Sequence, residues 1–175
     1  MPISDLLQAQ GKLTDAESLY REALGAQRRV LGLEHPSTLT SVNNLGFLLK
    51  AQGKLAEAEP LYREALETSR RVLGSEHRST LISIAKLGSL LKAQGKLTEA
   101  EPLQLEALVG SRRNLGDADR LTLISITNLV RCLVELDRSD DARVVLTDFL
   151  TTTKLPDGHK HVREVKAQLE GLDKD

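Results

Sequence analysis

Residues 53–94 read GKLAEAEPLYREALETSRRVLGSEHRSTLISIAKLGSLLKAQ, and residues 11–52 read GKLTDAESLYREALGAQRRVLGLEHPSTLTSVNNLGFLLKAQ. Of these 42 aligned positions 29 are identical and 13 differ, so the chain repeats itself with a period of 42. A third copy opens at Gly95 with GKLTEAEPLQLEAL and runs through Arg112, Arg113, Leu115 and Gly116 into TLISITNLVRCL. A fourth, degraded copy starts at Asp137 and keeps Ala142, Leu150 and Gly158. A sustained period of this length is the mark of a stack of supersecondary units, each burying the face of its neighbour.

Each copy divides into two helices. In the second copy Leu55, Ala58, Leu61, Tyr62, Ala65, Leu66 and Leu73 fall at the 3,4 spacing of a buried stripe. Gly74 is expected to end that helix in a left-handed C′ conformation. Leu81, Ile84, Leu87, Leu90 and Leu91 then give a second stripe, closed by Gly95. Pro36 suits a first turn, whereas Pro60 and Pro102 lie deeper and predict mild kinks. The fold class is therefore all-α, a solenoid of stacked antiparallel helix pairs. With two Phe, two Tyr and no Trp, its core must be built from Leu, Val and Ala.

Gly46, Ala58, Tyr62 and Ala65 have the offsets of the tetratricopeptide pattern, and Gly88, Ala100, Gln104 and Ala107 repeat it with a glutamine in the aromatic place. That pattern usually recurs every ~34 residues, and here the second helix and its loop are longer. The phrases NNLGFLLKAQGKLAEAEPLYREAL and RRVLGLEHPSTL resemble the repeats of kinesin light chains, over nearly the whole chain. The resemblance implies a right-handed tetratricopeptide-type solenoid. Residues 1–156 are read as the solenoid, with phases near 11–52, 53–94, 95–136 and 137–156. Residues 157–175 are read as a capping helix and tail, with Val162, Val165, Leu169 and Leu172 on one stripe. At the other end LLQAQ matches the last part of a first helix, LLKAQ, without its earlier half. That leaves apolar surface of the helix from Leu13 to Leu31 to be covered by another chain, or marks a fragment.

The composition narrows the function. A formal net charge of −1 removes bulk attraction to nucleic acid. No run approaches the ~18 apolar residues of a membrane span, and MPISDLLQAQ lacks the basic start and apolar stretch of a signal peptide. The single Cys132 cannot form an internal disulfide, which fits a reducing compartment, by default the cytoplasm. Cys132 lies in the apolar stripe LVRCLVEL and reads as core. His35 and His77 recur one period apart, which marks them as loop architecture pairing with backbone. His159 and His161 form an HxH pair with no further ligands to complete a metal site, so no metal or cofactor is expected. Glu67 and Arg71 are spaced for an ion pair within one helix. The arginine pairs at 28–29, 70–71 and 112–113 read as a solvated ladder at helix C-termini. Nucleotide-binding and metalloprotease signatures are absent, so the chain is read as a non-enzyme.

Solenoids of this class hold extended peptides on the face lined by the first helix of each repeat. One such face carries Thr40, Asn43, Asn44, Phe47 and Lys50, then Ile82, Lys86, Ser89 and Lys92, then Asn128, Arg131 and Glu135. Asn43, Asn44 and Phe47 become Ala85, Lys86 and Ser89 one period on, which is divergence beside an unchanged scaffold. The expected peptide site is Asn43, Asn44, Phe47, Lys50, Lys86, Ser89, Lys92, Asn128 and Arg131, with protein partners that include acidic linear peptides. The kinesin-light-chain resemblance implies Asn44 and Asn128 as backbone clamps and peptides with an aromatic residue among acids. Lys86 departs from that clamp. Two other readings stand beside this one. One is a structural or self-associating module, paired through the incomplete first repeat, of a larger signalling or scaffold protein. The other is a carboxylate clamp for chaperone tails, of which Ile82 and Lys86 supply only half.

Overall fold

The computed structural model describes residues 13–172, which form eight helices and no strand. They are α1 (Leu13–Val30), α2 (Pro36–Ala51), α3 (Leu55–Leu73), α4 (Arg78–Ala93), α5 (Leu97–Leu115), α6 (Arg120–Glu135), α7 (Ser139–Thr152) and α8 (Lys160–Leu172). The LLQAQ segment at residues 6–10 and the final three residues lie outside the described residues.

Helix boundaries follow from side chains that recur one period apart. His35 precedes α2 in an extended conformation and its Nδ1 accepts the Ser37 N–H at 3.1 Å. His77 does the same for Ser79 at 3.1 Å, and Asp119 takes this place before α6, accepting the Leu121 N–H at 2.7 Å. An acceptor at this position satisfies one of the N–H groups that a helix start leaves free. His159 caps α8 in the same way through the His161 N–H at 3.2 Å, so the HxH pair is a helix start. Gly74 ends α3 at φ +85°, and its N–H bonds the Arg70 carbonyl at 3.1 Å. The connection from a first to a second helix also needs a left-handed residue. Gly53 and Gly95 supply it, and in the degraded fourth copy Asp137 is held there at φ +58°.

Each helix packs chiefly against the one before and the one after it, and the first helices α2, α4 and α6 also touch one another in sequence. The core is a column of Leu, Val, Ile and Ala. Ala16, Ala58, Ala100 and Ala142, one period apart, are fully buried. At the far end Val162 and Val165 of α8 are buried in one cluster with residues of α6 and α7. Leu169 and Leu172 pack partly against the same cluster, as expected of a capping helix. Close approach within a pair depends on Gly46, where a Cβ would meet the Tyr62 ring at 2.9 Å.

The arginine ladder is organised differently from the sequence expectation. Arg28, Arg70 and Arg112 reach across to Glu64, Glu106 and Asp148 of the next second helix, at 2.6–2.7 Å. Arg71 and Arg113 reach back to Glu34 and Glu76 in the preceding loop. These are bonds between repeats, not only charges at the negative ends of helices. The expected Glu67–Arg71 pair gives way to Arg71–Glu34, because the stacked loop brings Glu34 to the guanidinium. A further series joins Glu17 to Lys54, Glu59 to Lys96 and Glu101 to Arg138 at 2.7–2.9 Å.

Candidate functional site

Because the first helices pack side by side, their outward positions form one surface. A groove of about 600 Å³ crosses it, lined from α2 by Asn44, Phe47 and Lys50, from α4 by Arg78, Ile82, Ala85, Lys86 and Ser89, and from α6 by Arg120, Leu121, Ile124 and Asn128. Tyr62 of α3 closes the floor between them. Six of the nine sequence-predicted residues line this groove: Asn44, Phe47, Lys50, Lys86, Ser89 and Asn128.

Phe47 is 53 % exposed, a large apolar side chain offered to solvent beside polar neighbours. Lys50 is half-buried and donates to the Ser89 hydroxyl at 2.6 Å and the Ser89 carbonyl at 3.1 Å. Burial, and then the nearby charge of Lys92, lower its pKa from the ordinary lysine value. Lys86 is also half-buried, with its ammonium 3.4 Å from the Asn43 carbonyl and no carboxylate paired to it among the described residues. Burial alone lowers its pKa. An ammonium so placed is under-solvated and attracts an incoming anion more strongly than a surface lysine does.

The other three residues are placed differently. Asn43 is only 8 % exposed, and its amide donates to the Leu39 carbonyl at 3.2 Å and the Ser83 hydroxyl at 3.1 Å. It binds α2 to α4 and touches only a smaller adjoining depression, which departs from the expectation of a solvated face. Lys92 sits on the rim, paired with Glu135 at 2.5 Å, so part of the expected positive charge is neutralised within the protein. Arg131 is exposed and outside the groove lining.

Arg78 and Arg120 were missed from sequence. They occupy one repeat position, which is Pro36 in the first copy, and it lies a turn before Thr40, Ile82 and Ile124. That variation from Pro to Arg was the available signal. Arg78 is held by Asp119 at 2.6 Å. The groove lining thus holds four cations, Lys50, Lys86, Arg78 and Arg120, of which Arg78 is already paired with Asp119, and no carboxylate, around an apolar strip of Phe47, Ile82 and Ile124.

Cys132 is buried and its Sγ lies 3.6 Å from the Leu97 carbonyl, with its thiol pKa raised chiefly by burial. Among the described residues no three His, Cys, Asp or Glu side chains come together as a metal site, and no helix is long and apolar enough to cross a membrane.

Stacked helix pairs with a groove along their first helices define an α-solenoid repeat protein that serves as a protein-interaction scaffold. The chain belongs to the tetratricopeptide repeat family, whose signature matches residues 2–71 and again 40–108. No curated protein matches the sequence significantly. Among solved structures the fold is similar to a kinesin light chain-like protein of Podosopora anserina with nearly identical TPR-like repeats. Two structures of that protein, the first of them a point variant, give TM-scores of 0.89 and 0.88. Both are 24% identical in sequence, over 98% of this chain and 82% of that one. BtubC (BKLC) from P. vanneervenii is similar at a TM-score of 0.76 and 22% identity, over 97% of this chain and 62% of that one.

Proposed function

We propose that this protein holds an extended acidic segment of a partner protein in the groove formed by α2, α4 and α6, and that it is a scaffold without catalytic activity. The observation that carries this reading is the groove lining: Lys50, Lys86 and Arg120 with no carboxylate paired to them among the described residues, Arg78 held by Asp119, and an exposed Phe47 beside an apolar strip. Asn44 and Asn128 line the same groove and supply amides to a peptide backbone. Lys86, with no acidic partner of its own among the described residues, is the residue whose ammonium gains most from a ligand carboxylate. The kinesin light chain-like fold is consistent with such a role. The buried, lone Cys132 fits a reducing compartment such as the cytoplasm.

The chain has no tryptophan, so emission from a Trp-containing acidic peptide can be followed directly. Saturable binding that weakens between low and moderate salt, and drops about tenfold or more in Lys86→Glu, is expected. Equal affinity of Lys86→Glu for the peptide, or no binding of acidic peptides at all, would sink the reading.

A second reading is self-association through the outer face of α1. Ala23 is exposed there while its repeat equivalents Ala65 and Ala107 are fully buried, and Val30 is 80 % exposed. Sedimentation over a wide concentration range tests it: Val30→Asp should abolish a concentration-dependent dimer, and a constant monomer mass in the unmodified protein would exclude one.

A further inference from the structure

The groove does not end at α6. A second depression of about 430 Å³ continues from it towards α8, lined by Leu123, Ile124, Thr127, Asn128, Glu164, Ala167 and Gln168. Ile124 and Asn128 belong to both, so a chain lying in one can pass into the other without leaving the surface. Their charges are opposite. The first is lined by four cations and no carboxylate, the second by one carboxylate, Glu164, and no cation.

Glu164 is under-used by the fold. Its Oε2 is buried with no hydrogen-bond partner, and its ion pair to Lys160 is long at 3.7 Å, with the Lys160 side chain largely in solvent. A carboxylate oxygen shielded from water without a donor is unfavourable as it stands. The side chain as a whole is 40 % exposed, so a ligand ammonium can approach the same carboxylate from the solvent side and offset the charge that this oxygen leaves uncompensated. The wall that carries it is fixed, because Gln168 on the next turn donates to the Thr127 hydroxyl at 3.0 Å and ties α8 to α6.

We infer that the segment held by this protein is bipolar, with acidic residues over Lys86 and Arg120, an apolar residue over Ile124, and a lysine or arginine that meets Glu164. Packed helices lie about 10 Å apart, and an extended chain advances about 3.3 Å per residue. The basic residue therefore follows or precedes the last acid by about three positions. This inference rests on the acidic-peptide reading and adds the charge pattern that would distinguish this protein's ligand from any acidic segment. Such patterning is how a groove rejects partners as well as attracts them, since an acid opposite Glu164 is repelled.

The test uses four fluorescein-labelled peptides and fluorescence anisotropy with the full chain. One peptide is acidic with a single central leucine. Two others add a lysine three positions beyond the last acid, one on the C-terminal and one on the N-terminal side. The fourth carries glutamate in place of that lysine. In one of the two orders the lysine peptide should bind several-fold tighter than the acid-only peptide. That advantage should vanish in Glu164→Gln, and in Glu164→Lys the preference should pass to the glutamate peptide. If acidic peptides bind but lysine helps in neither order, or its advantage persists in Glu164→Gln, the bipolar inference is overturned and the acidic-groove reading stands. If none of the four binds, both fail together.

Discussion

Gln104 sits over Gly88 as Tyr62 sits over Gly46, and its side-chain amide donates to the Ala85 carbonyl at 3.2 Å. Both side chains are buried, and at both glycines a Cβ would be in collision, with Tyr62 at 2.9 Å and with Gln104 at 2.5 Å. The glutamine is the poorer occupant, because its Oε1 is buried without a partner. Gln104→Tyr should therefore stabilise the protein by about 1 kcal/mol, by removing an unsatisfied acceptor and burying a ring. Gly46→Ala should destabilise it by about 1 kcal/mol, since overpacking against a rigid ring outweighs the gain in helix propensity. Urea denaturation of the two variants measures both signs, and a destabilised Gln104→Tyr would show that the third repeat has closed around the smaller side chain.

Lys86 and Lys92 should separate stability from binding. Lys86 is half-buried without an acidic partner among the described residues, so Lys86→Met removes an under-solvated charge and should leave stability unchanged or raised. Lys92→Met breaks the pair with Glu135 and should lose up to about 1 kcal/mol. Acidic-peptide affinity should move the other way, falling more for Lys86→Met than for Lys92→Met. Thermal melts and peptide titrations on the same two samples check the crossing.

Asp137 occupies a left-handed position that Gly53 and Gly95 fill in the intact copies. A side chain there carries a steric penalty of about 1 kcal/mol, which glycine escapes. Asp137→Gly should thus stabilise the junction between α6 and α7, partly offset by the greater freedom of glycine in the unfolded chain. Hydrogen exchange of the α7 amides should slow in the variant, and faster exchange would contradict the assignment of strain to this residue.

Glu59 predicts an acid-sensitive repeat junction. Hydrogen bonds from Lys96, then Gln94, then Arg63 hold its carboxyl at about 2, well below the ordinary 4.5. A depressed carboxylate stabilises the folded chain above its unfolded value, and that contribution is lost as pH falls through the folded value. The stability difference between the protein and Glu59→Gln should be about 1 kcal/mol at pH 7 and should shrink steadily between pH 4.5 and 2. Denaturant midpoints of both proteins at pH 7 and pH 3 test it, and a constant difference would mean that Glu59 is unpaired in solution.

Helices, caps and the tetratricopeptide pattern were readable from the chain because each is set locally and written several times. His35 and His77 cap α2 and α4 as their repetition implied, and α8 shows the stripe of a cap. Relations between repeats were not readable. By period alone Asn43 reads as a surface residue, and it is buried because Ser83 of the next first helix lies beside it. Arg71 chooses Glu34 over Glu67 for the same kind of reason, the stacking distance between loops. Arg78 and Arg120 join the groove only because neighbouring first helices are placed side by side, which no single repeat encodes.

The ion-pair ladders have a bearing on how such a chain grows. Arg28 to Glu64, Arg70 to Glu106 and Arg112 to Asp148 each span 36 residues, less than one period, and each joins one unit to the next. A block of sequence that carries both the arginine and the carboxylate therefore carries the two halves of its own seam. Tandem duplication of that block produces a new junction already matched in charge, with no second change needed elsewhere. Length is the easiest property for this architecture to alter, and the near-identity of residues 11–52 and 53–94 is the trace such a copying step leaves.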